Sequence, residues 1–387
     1  MRAEITEKER VSAIKEAITI IRRNLPEYTY KCQDANSNGG IYKPIDNIEW
    51  TTGFWPGELW LSYLETGDEI FAHAAGILVT SFYERIKKHI AVDHHDMGFL
   101  YTPSCVAAWM IKRDAMAREA ALMAADNLVS RFQEKGSFIQ AWGAMGADDN
   151  YRYIIDCMLN LPLLYWATDE TGDEKYRTIA LRHTATCIAN SFRPDYSSYH
   201  TFFMDKETGK PLRGETCQGY KADSSWARGQ AWGVYGLALA YRHTGEHSYL
   251  DLFEKVSAYF MEKLPEDMIP YWDLIFQSGD EPRDSSSASI VACGFLDAAD
   301  SYEKLQEYDK ARKYRKAAKE LLKAVYDTCM VHADESGING LVKHGTYSKK
   351  SPYNTCTEAG VDECVSWGDY YWLEALVRLG GTWKSWW

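Results

Sequence analysis

The sequence predicts an all-α chain in which six helical hairpins close into a double ring, and three observations lead to it. Apolar residues recur at helical spacing through most of the 387 residues, enough for about twelve helices. The joins between them alternate strictly, short then long, which places every long loop at the same end of the array. Even-numbered helices are rich in small and aromatic residues, as in Ala231-Trp232-Gly233 and Ala292-Cys293-Gly294, and suit an inner ring. Odd-numbered ones carry amphipathic Lys and Glu faces, as from Lys310 to Lys323, and suit a solvent-facing outer ring. The first helix then pairs with the last. An open helical solenoid is the alternative for a repeat of this kind.

Val11, Ile14, Ile18 and Ile21 mark the first helix, about 8 to 24, which is expected to stop at Pro26. The second, about 54 to 66, carries Trp60, Tyr63 and Leu64, and the third follows at once to about 88. The pairs 100 to 113 with 115 to 134, 155 to 169 with 173 to 192, 225 to 243 with 247 to 263, and 287 to 304 with 308 to 328 come next, and 367 to 379 is the last. Three tight joins share one chemistry: Thr66-Gly67-Asp68-Glu69, Thr171-Gly172-Asp173-Glu174 and Thr244-Gly245-Glu246. Glycine ends one helix and an acid opens the next. The long connections are 25 to 53, 89 to 99, 135 to 154, 193 to 224, 264 to 286 and 329 to 366. A chain of this length commonly forms more than one domain, but a closed helical barrel of the same size is one, so 1 to 387 is read as a single domain.

Charged residues are 25% and hydrophobic ones 46% of the chain, the balance of a soluble globular protein. Fourteen Trp and 26 Tyr exceed what packing needs, and such rings stack on the flat apolar faces of sugars and bases. The net charge of −12 repels nucleic-acid backbones and anionic membranes, so neither is expected as a partner. Nine scattered Cys without a C-x-x-C pair suit free thiols in a reducing compartment. With no signal peptide and no membrane-spanning window, the chain reads as cytoplasmic.

The unusual residues fall in the long loops or in the first turn of the helix each loop feeds. Asp93-His94-His95-Asp96 packs two carboxylates and two imidazoles into four residues. Neither H-x-x-x-H nor a Cys pair accompanies it, so a zinc site is not expected. Asp96 reads either as an Asx turn ahead of Gly98 or as one of a pair of carboxylates. Asp156 lies among Ile154, Ile155, Met158 and Leu159. Desolvation there would raise its pKa and suit a general acid; as a helix N-cap it would instead be lowered. Arg228, with His200 and Gln218, reads as a clamp for an anionic group or as the partner of a loop carboxylate. No phosphate loop, nucleophile elbow or nucleotide fingerprint is present. Two carboxylates, aromatic platforms and one cation on a helical toroid point to carbohydrate chemistry.

Eight segments sharpen this. Trp50-Thr51-Thr52-Gly53-Phe54-Trp55, Asp93 to Tyr101, Gln140-Ala141-Trp142-Gly143, Ile155-Asp156-Cys157, Ser198-Tyr199-His200-Thr201-Phe202, Arg228-Gly229-Gln230-Ala231-Trp232-Gly233, Arg283-Asp284-Ser285-Ser286 and Trp367-Gly368-Asp369-Tyr370-Tyr371 resemble the unsaturated glucuronyl hydrolases of glycoside hydrolase family 88, in the family's order. The resemblance implies an (α/α)6 barrel. It implies removal of the 4,5-unsaturated uronic acid from the non-reducing end of small lyase-generated oligosaccharides, mainly disaccharides, of the chondroitin or hyaluronan type. Asp156 would protonate C4 and activate the water that adds at C5, with Asp96 as its partner carboxylate. Trp50, Trp142, His200, Gln218, Trp226, Arg228, Trp232 and Tyr347 fall on substrate-contact positions, and His95 reads as a further contact. Neither a metal nor an organic cofactor is implied, and no obligatory protein partner.

Members of the family that prefer sulfated disaccharides carry Ser-x-x-Ser-x-Lys in the last long loop. Here Ser348 and Ser351 keep the places of sulfate or aglycone contacts, but Tyr353 stands where the lysine would be. The sister activity on unsaturated rhamnogalacturonan fragments and a non-catalytic oligosaccharide-binding toroid are the competing readings.

Overall fold

A computed structural model describes residues 2–381 and 383–387. The helices are α1 (Glu7–Tyr28), α2 (Phe54–Thr66), α3 (Glu69–Lys87), α4 (Met97–Tyr101), α5 (Ala107–Lys112), α6 (Ala115–Ser130), α7 (Pro162–Thr171), α8 (Glu174–Ser191), α9 (Ala227–Thr244), α10 (His247–Glu262), α11 (Ser285–Lys304), α12 (Tyr308–Thr328) and α13 (Ser366–Leu379). α4 and α5 are halves of one helix joined by a π turn at Thr102–Val106. Pro103 lies in that turn and supplies no N–H to the regular ladder.

Packing closes the ring. α2, α4/α5, α7, α9, α11 and α13 contact one another in sequence, and α13 packs back on α2, so the chain is an (α/α)6 barrel and not an open solenoid. α9 is buried from Ala227 through Ala240, whereas α12 buries one stripe, Ala311, Tyr314, Ala318, Leu321, Leu322 and Val325. That contrast is the signature of inner against outer helices. α1 packs against α13, as expected for the first and last elements. At the tight joins Gly67, Gly172 and Gly245 adopt φ of 67°, 76° and 72°, and Asp68, Asp173 and Glu246 each accept from a backbone N–H of the next helix.

Three boundaries differ from expectation. α1 continues past Pro26 to Tyr28 because Thr29 caps the last turn through its backbone N–H and hydroxyl, both donating to the Leu25 carbonyl at 3.0 and 2.6 Å. The segment expected as one helix from 155 divides into a 3-10 turn, Ile155–Leu159, and α7, which starts at Pro162. α6 ends at Ser130, ahead of a short strand.

The long loops are not structureless. They carry the strands β1 (Cys32–Asn38), β2 (Ile41–Ile45), β3 (Phe132–Gln133), β4 (Phe138–Ile139), β5 (Arg152–Ile154), β6 (Thr201–Met204), β7 (Pro211–Glu215), β8 (Gly345–Ser348) and β9 (Ala359–Glu363). Most are too short for period-2 alternation to register, and β5 pairs with β6 across the whole of α7 and α8. Among the described residues no helix is long and apolar enough to cross a membrane.

Candidate active site

The loops enclose a cavity of about 490 Å³ at one end of the barrel. Trp50, His95, Asp96, Trp142, Asp156, His200, Gln218, Tyr347 and Ser348 all line it. Five of the six long loops supply this wall; the fifth, 264 to 286, does not.

Asp96 and Asp156 arrive by different routes. Asp96 precedes α4, but no backbone N–H of that helix donates to its side chain, so it is not an Asx cap. His94 Nδ1 lies 2.9 Å from Asp96 Oδ2, and His95 Nε2 lies 3.3 Å from Oδ1. The stretch is anchored where the His95 N–H donates to the Ala141 carbonyl at 2.8 Å and His94 bridges Trp142. Burial alone would raise the Asp96 pKa; the His95 and His94 rings and Arg131 outweigh it and hold the carboxyl below its usual range. Buried His95 is itself pushed down to about 4.

Asp156 sits in the 3-10 turn that continues β5, not at a helix N-cap. Pairing of β5 with β6 carries through to the Ile155 N–H, which donates to the His200 carbonyl at 3.1 Å and so sets His200 beside Asp156. Gly98 brings the two acids together. A Cβ there would lie 2.3 Å from Asn160 Cα, so only glycine lets the start of α4 close on the turn that holds Asp156. The Asn160 side-chain carbonyl then accepts from the Phe99 N–H at 2.8 Å.

The Asp156 carboxyl lines the cavity, and its Oδ1 is buried without a partner. Burial, reinforced by the Asp96 charge and opposed by Arg228, pushes its pKa up to about 8. The cavity therefore holds one ionised and one protonated carboxyl near neutral pH, the arrangement that separates an acid from its partner.

His200 Nδ1 accepts from the Cys217 and Gln218 N–H groups at 3.0 and 3.1 Å. The proton is thereby left on Nε2, a neutral donor, and burial followed by the Arg228 charge drives the ring's pKa well below its usual value. Trp50 stacks on Trp367 at 5.2 Å and donates through Nε1 to Tyr347 Oη at 3.0 Å. Trp142 carries Arg152 over its face at 4.6 Å.

Four residues expected at the site do not reach the cavity wall. Trp226 is buried against His200, with ring centroids 4.4 Å apart. Arg228 lies behind the wall between Trp226 and Trp367. Trp232 is completely buried between Phe99 and Tyr371, in the core beneath the site. The Ser351 hydroxyl is turned to the Tyr220 carbonyl at 2.5 Å, and that of Ser348, although on the wall, donates to the Thr357 carbonyl at 2.6 Å. Conversely, Ile154, Cys217, Thr355, Cys356, Thr357 and Ala359 line the cavity without having been singled out. Cys217 adjoins Gln218, a usable hint; nothing marked Thr355 to Thr357. Asp369 of the Trp-Gly-Asp motif is structural, accepting from Tyr42 Oη and the Val342 N–H. Among the described residues no group of three or more His, Cys, Asp or Glu side chains is arranged to hold a metal ion.

A helical toroid with a carboxyl pair in an aromatic-walled cavity has the parts a glycoside hydrolase needs. The model of Glycosyl Hydrolase Family 88 matches residues 22–367, and the chain belongs to that family. It is 45% identical to the unsaturated chondroitin disaccharide hydrolase of Streptococcus pneumoniae, over 99% of this chain and 95% of that protein. A crystal structure of unsaturated glucuronyl hydrolase from Streptococcus agalactiae superposes with a TM-score of 0.93 at 43% identity, covering 100% of this chain and 95% of that one. A mutant of the latter, complexed with dGlcA-GalNAc6S, gives a TM-score of 0.85 at 39% identity, covering 100% of this chain and 95% of that one.

Proposed function

We propose that this protein is an unsaturated glucuronyl hydrolase that removes the 4,5-unsaturated uronic acid from the non-reducing end of chondroitin- or hyaluronan-type oligosaccharides, mainly disaccharides. The observation that carries the proposal is the pair of carboxyls in one cavity, Asp96 held ionised and Asp156 held protonated. The names of the relatives support the substrate class. A cavity of about 490 Å³ accommodates a disaccharide-sized ligand.

The chemistry follows from the acid's state. Asp156 donates its proton to C4 of the C4=C5 enol ether, leaving positive charge shared by C5 and the ring oxygen. The Asp96 carboxylate stabilises that charge. Asp156, now a carboxylate, takes a proton from the water that adds at C5. The C5 hemiketal opens with its ring oxygen remaining on C1, and the C1 hemiacetal so formed expels the shorter sugar. One water is consumed and the acid is regenerated. His200 Nε2–H and the Gln218 amide are neutral donors for the substrate, and Trp50 and Trp142 supply flat faces for it.

A lyase-generated unsaturated disaccharide loses its ultraviolet absorbance when the double bond is hydrated. The wild-type protein is expected to abolish that absorbance and Asp156→Asn to preserve it. Wild-type turnover in the Asn variant would exclude Asp156 as the acid. We further propose that the chain is one catalytic domain acting in a reducing cytoplasm, a reading supported by nine cysteines that are all free thiols.

A further inference from the structure

The fifth long loop contributes nothing to the cavity wall, yet Asp284, its last residue before the observed start of α11, is tied to that wall. Asp284 immediately precedes α11 and is fully buried. Four donors saturate its carboxylate: Ser286 Oγ at 2.5 Å and the Thr346 N–H at 3.5 Å on Oδ1, and Ser287 Oγ at 2.8 Å and Arg228 Nη1 at 3.3 Å on Oδ2. Arg228, 1% exposed, spends its other bonds on the strand that carries Tyr347. Nη1 donates to the Thr346 carbonyl and Nη2 to the Tyr347 carbonyl, both at 2.7 Å. Its guanidinium plane is gripped by Trp226 and Trp367 at 4.2 and 4.6 Å.

No Lys or Arg lines the cavity among the described residues, so Arg228, one layer behind, is the cation that acts on Asp156. We propose that Asp284 is a positioning residue for the reaction, acting through Arg228: its buried carboxylate fixes the guanidinium that holds the Tyr347 strand and neutralises it toward the cavity. This inference rests on the hydrolase reading above. With Asp284 in place, Asp156 faces a compensated pair; without it, a buried and unpaired cation. An unpaired cation favours the Asp156 anion, so the acid would lose its proton at lower pH.

The other titratable groups facing Asp156 are the same residues in all three proteins compared. They are Asp96 and His95 before α4, Cys157 in its own turn, Cys187 on α8, His200 before β6 and Tyr347 on β8. His200 and Tyr347 also feel the Arg228 charge, so the pair is read from the opposite directions in which the single and double variants move the limb.

The test compares wild type, Asp284→Asn and the charge-neutral double variant Arg228→Met/Asp284→Asn, assayed on one unsaturated disaccharide across pH with thermal melts alongside. Asp284→Asn is expected to move the alkaline limb of kcat/KM down by about one pH unit and to raise KM as the Tyr347 strand loosens. The double variant, which has no cation, is expected to move that limb above the wild-type position. If the single variant does not fold, the double variant carries the test. Limbs that stay put in whichever variant folds overturn the proposal, and so does failure of both to fold, which would assign the pair to the core. A wild-type protein that leaves the disaccharide intact refutes the hydrolase reading itself; wild-type turnover with unmoved limbs refutes this inference alone.

Discussion

If Asp156 is protonated in the folded protein near neutral pH, replacing it with Asn will cost activity and increase stability, and the gain will depend on pH in a specified way. The folded-state pKa is raised from 3.8 to about 8. Between those values the folded chain binds a proton that the unfolded chain has released, so wild-type stability declines as pH rises through this window. Asn does not titrate and escapes the decline. At 1.36 kcal/mol per pH unit between 3.8 and pH 7, the ceiling on the gain is about 4 kcal/mol; solvent in the cavity reduces it to about 2 to 4 kcal/mol. For 387 residues the unfolding entropy is about 0.8 kcal/mol/K, so Tm should rise by about 2 to 5 °C at pH 7. The same substitution removes a general acid, a loss of about 10²- to 10⁴-fold in rate. Thermal melts of both proteins from pH 4 to 9 make the comparison. Their Tm difference should be smallest at pH 4, widen to about pH 8 and then level off. A difference independent of pH would show that Asp156 is ionised in the folded protein, and the mechanism above would fall with it.

Two further substitutions test how the site is built. Gly98→Ala places a methyl group 2.3 Å from Asn160 Cα, so α4 must back away from the Asp156 turn; we expect a loss of about 1 to 3 kcal/mol in denaturant melts and a fall in kcat larger than any change in KM. Retained stability and activity would mean that the close approach is unnecessary. Trp232 is core beneath the site, so Trp232→Ala should lower stability by about 3 to 5 kcal/mol, whereas Trp232→Phe should fold with KM near the wild-type value. A large KM increase in a stable Trp232→Phe protein would restore it as a substrate contact.

Several structural features were legible without coordinates because they are local. Helical periodicity, the glycine-then-acid joins and the alternation of short with long loops depend on residues within a few positions of one another, and together they imply a ring with its loops at one end. Asp156 was recognisable as a desolvated acid from its apolar neighbours, although the same pattern allowed an N-cap. The 3-10 turn ending ahead of Pro162 removed that alternative. Residue type alone does not give depth. Trp50 and Trp232 both fall on contact positions that the family resemblance implies, yet Trp50 lines the cavity and Trp232 is completely buried behind it.

The sequence by itself determined the number and approximate extent of most helices, how they pair and that the long loops lie at one end, since each is set by short-range spacing and capping chemistry; which of those loops build the cavity wall it did not. Tertiary structure alone decided that Asp96 and Asp156 share one cavity in opposite protonation states, that His200 is held as an Nε2–H donor, and that Arg228 is compensated by Asp284 behind the wall. The reason is physical. Protonation and donor direction depend on burial and on groups brought close in space, some from well beyond local spacing, such as Arg228 and Asp284, 56 positions apart, and periodicity and capping patterns do not record such approaches.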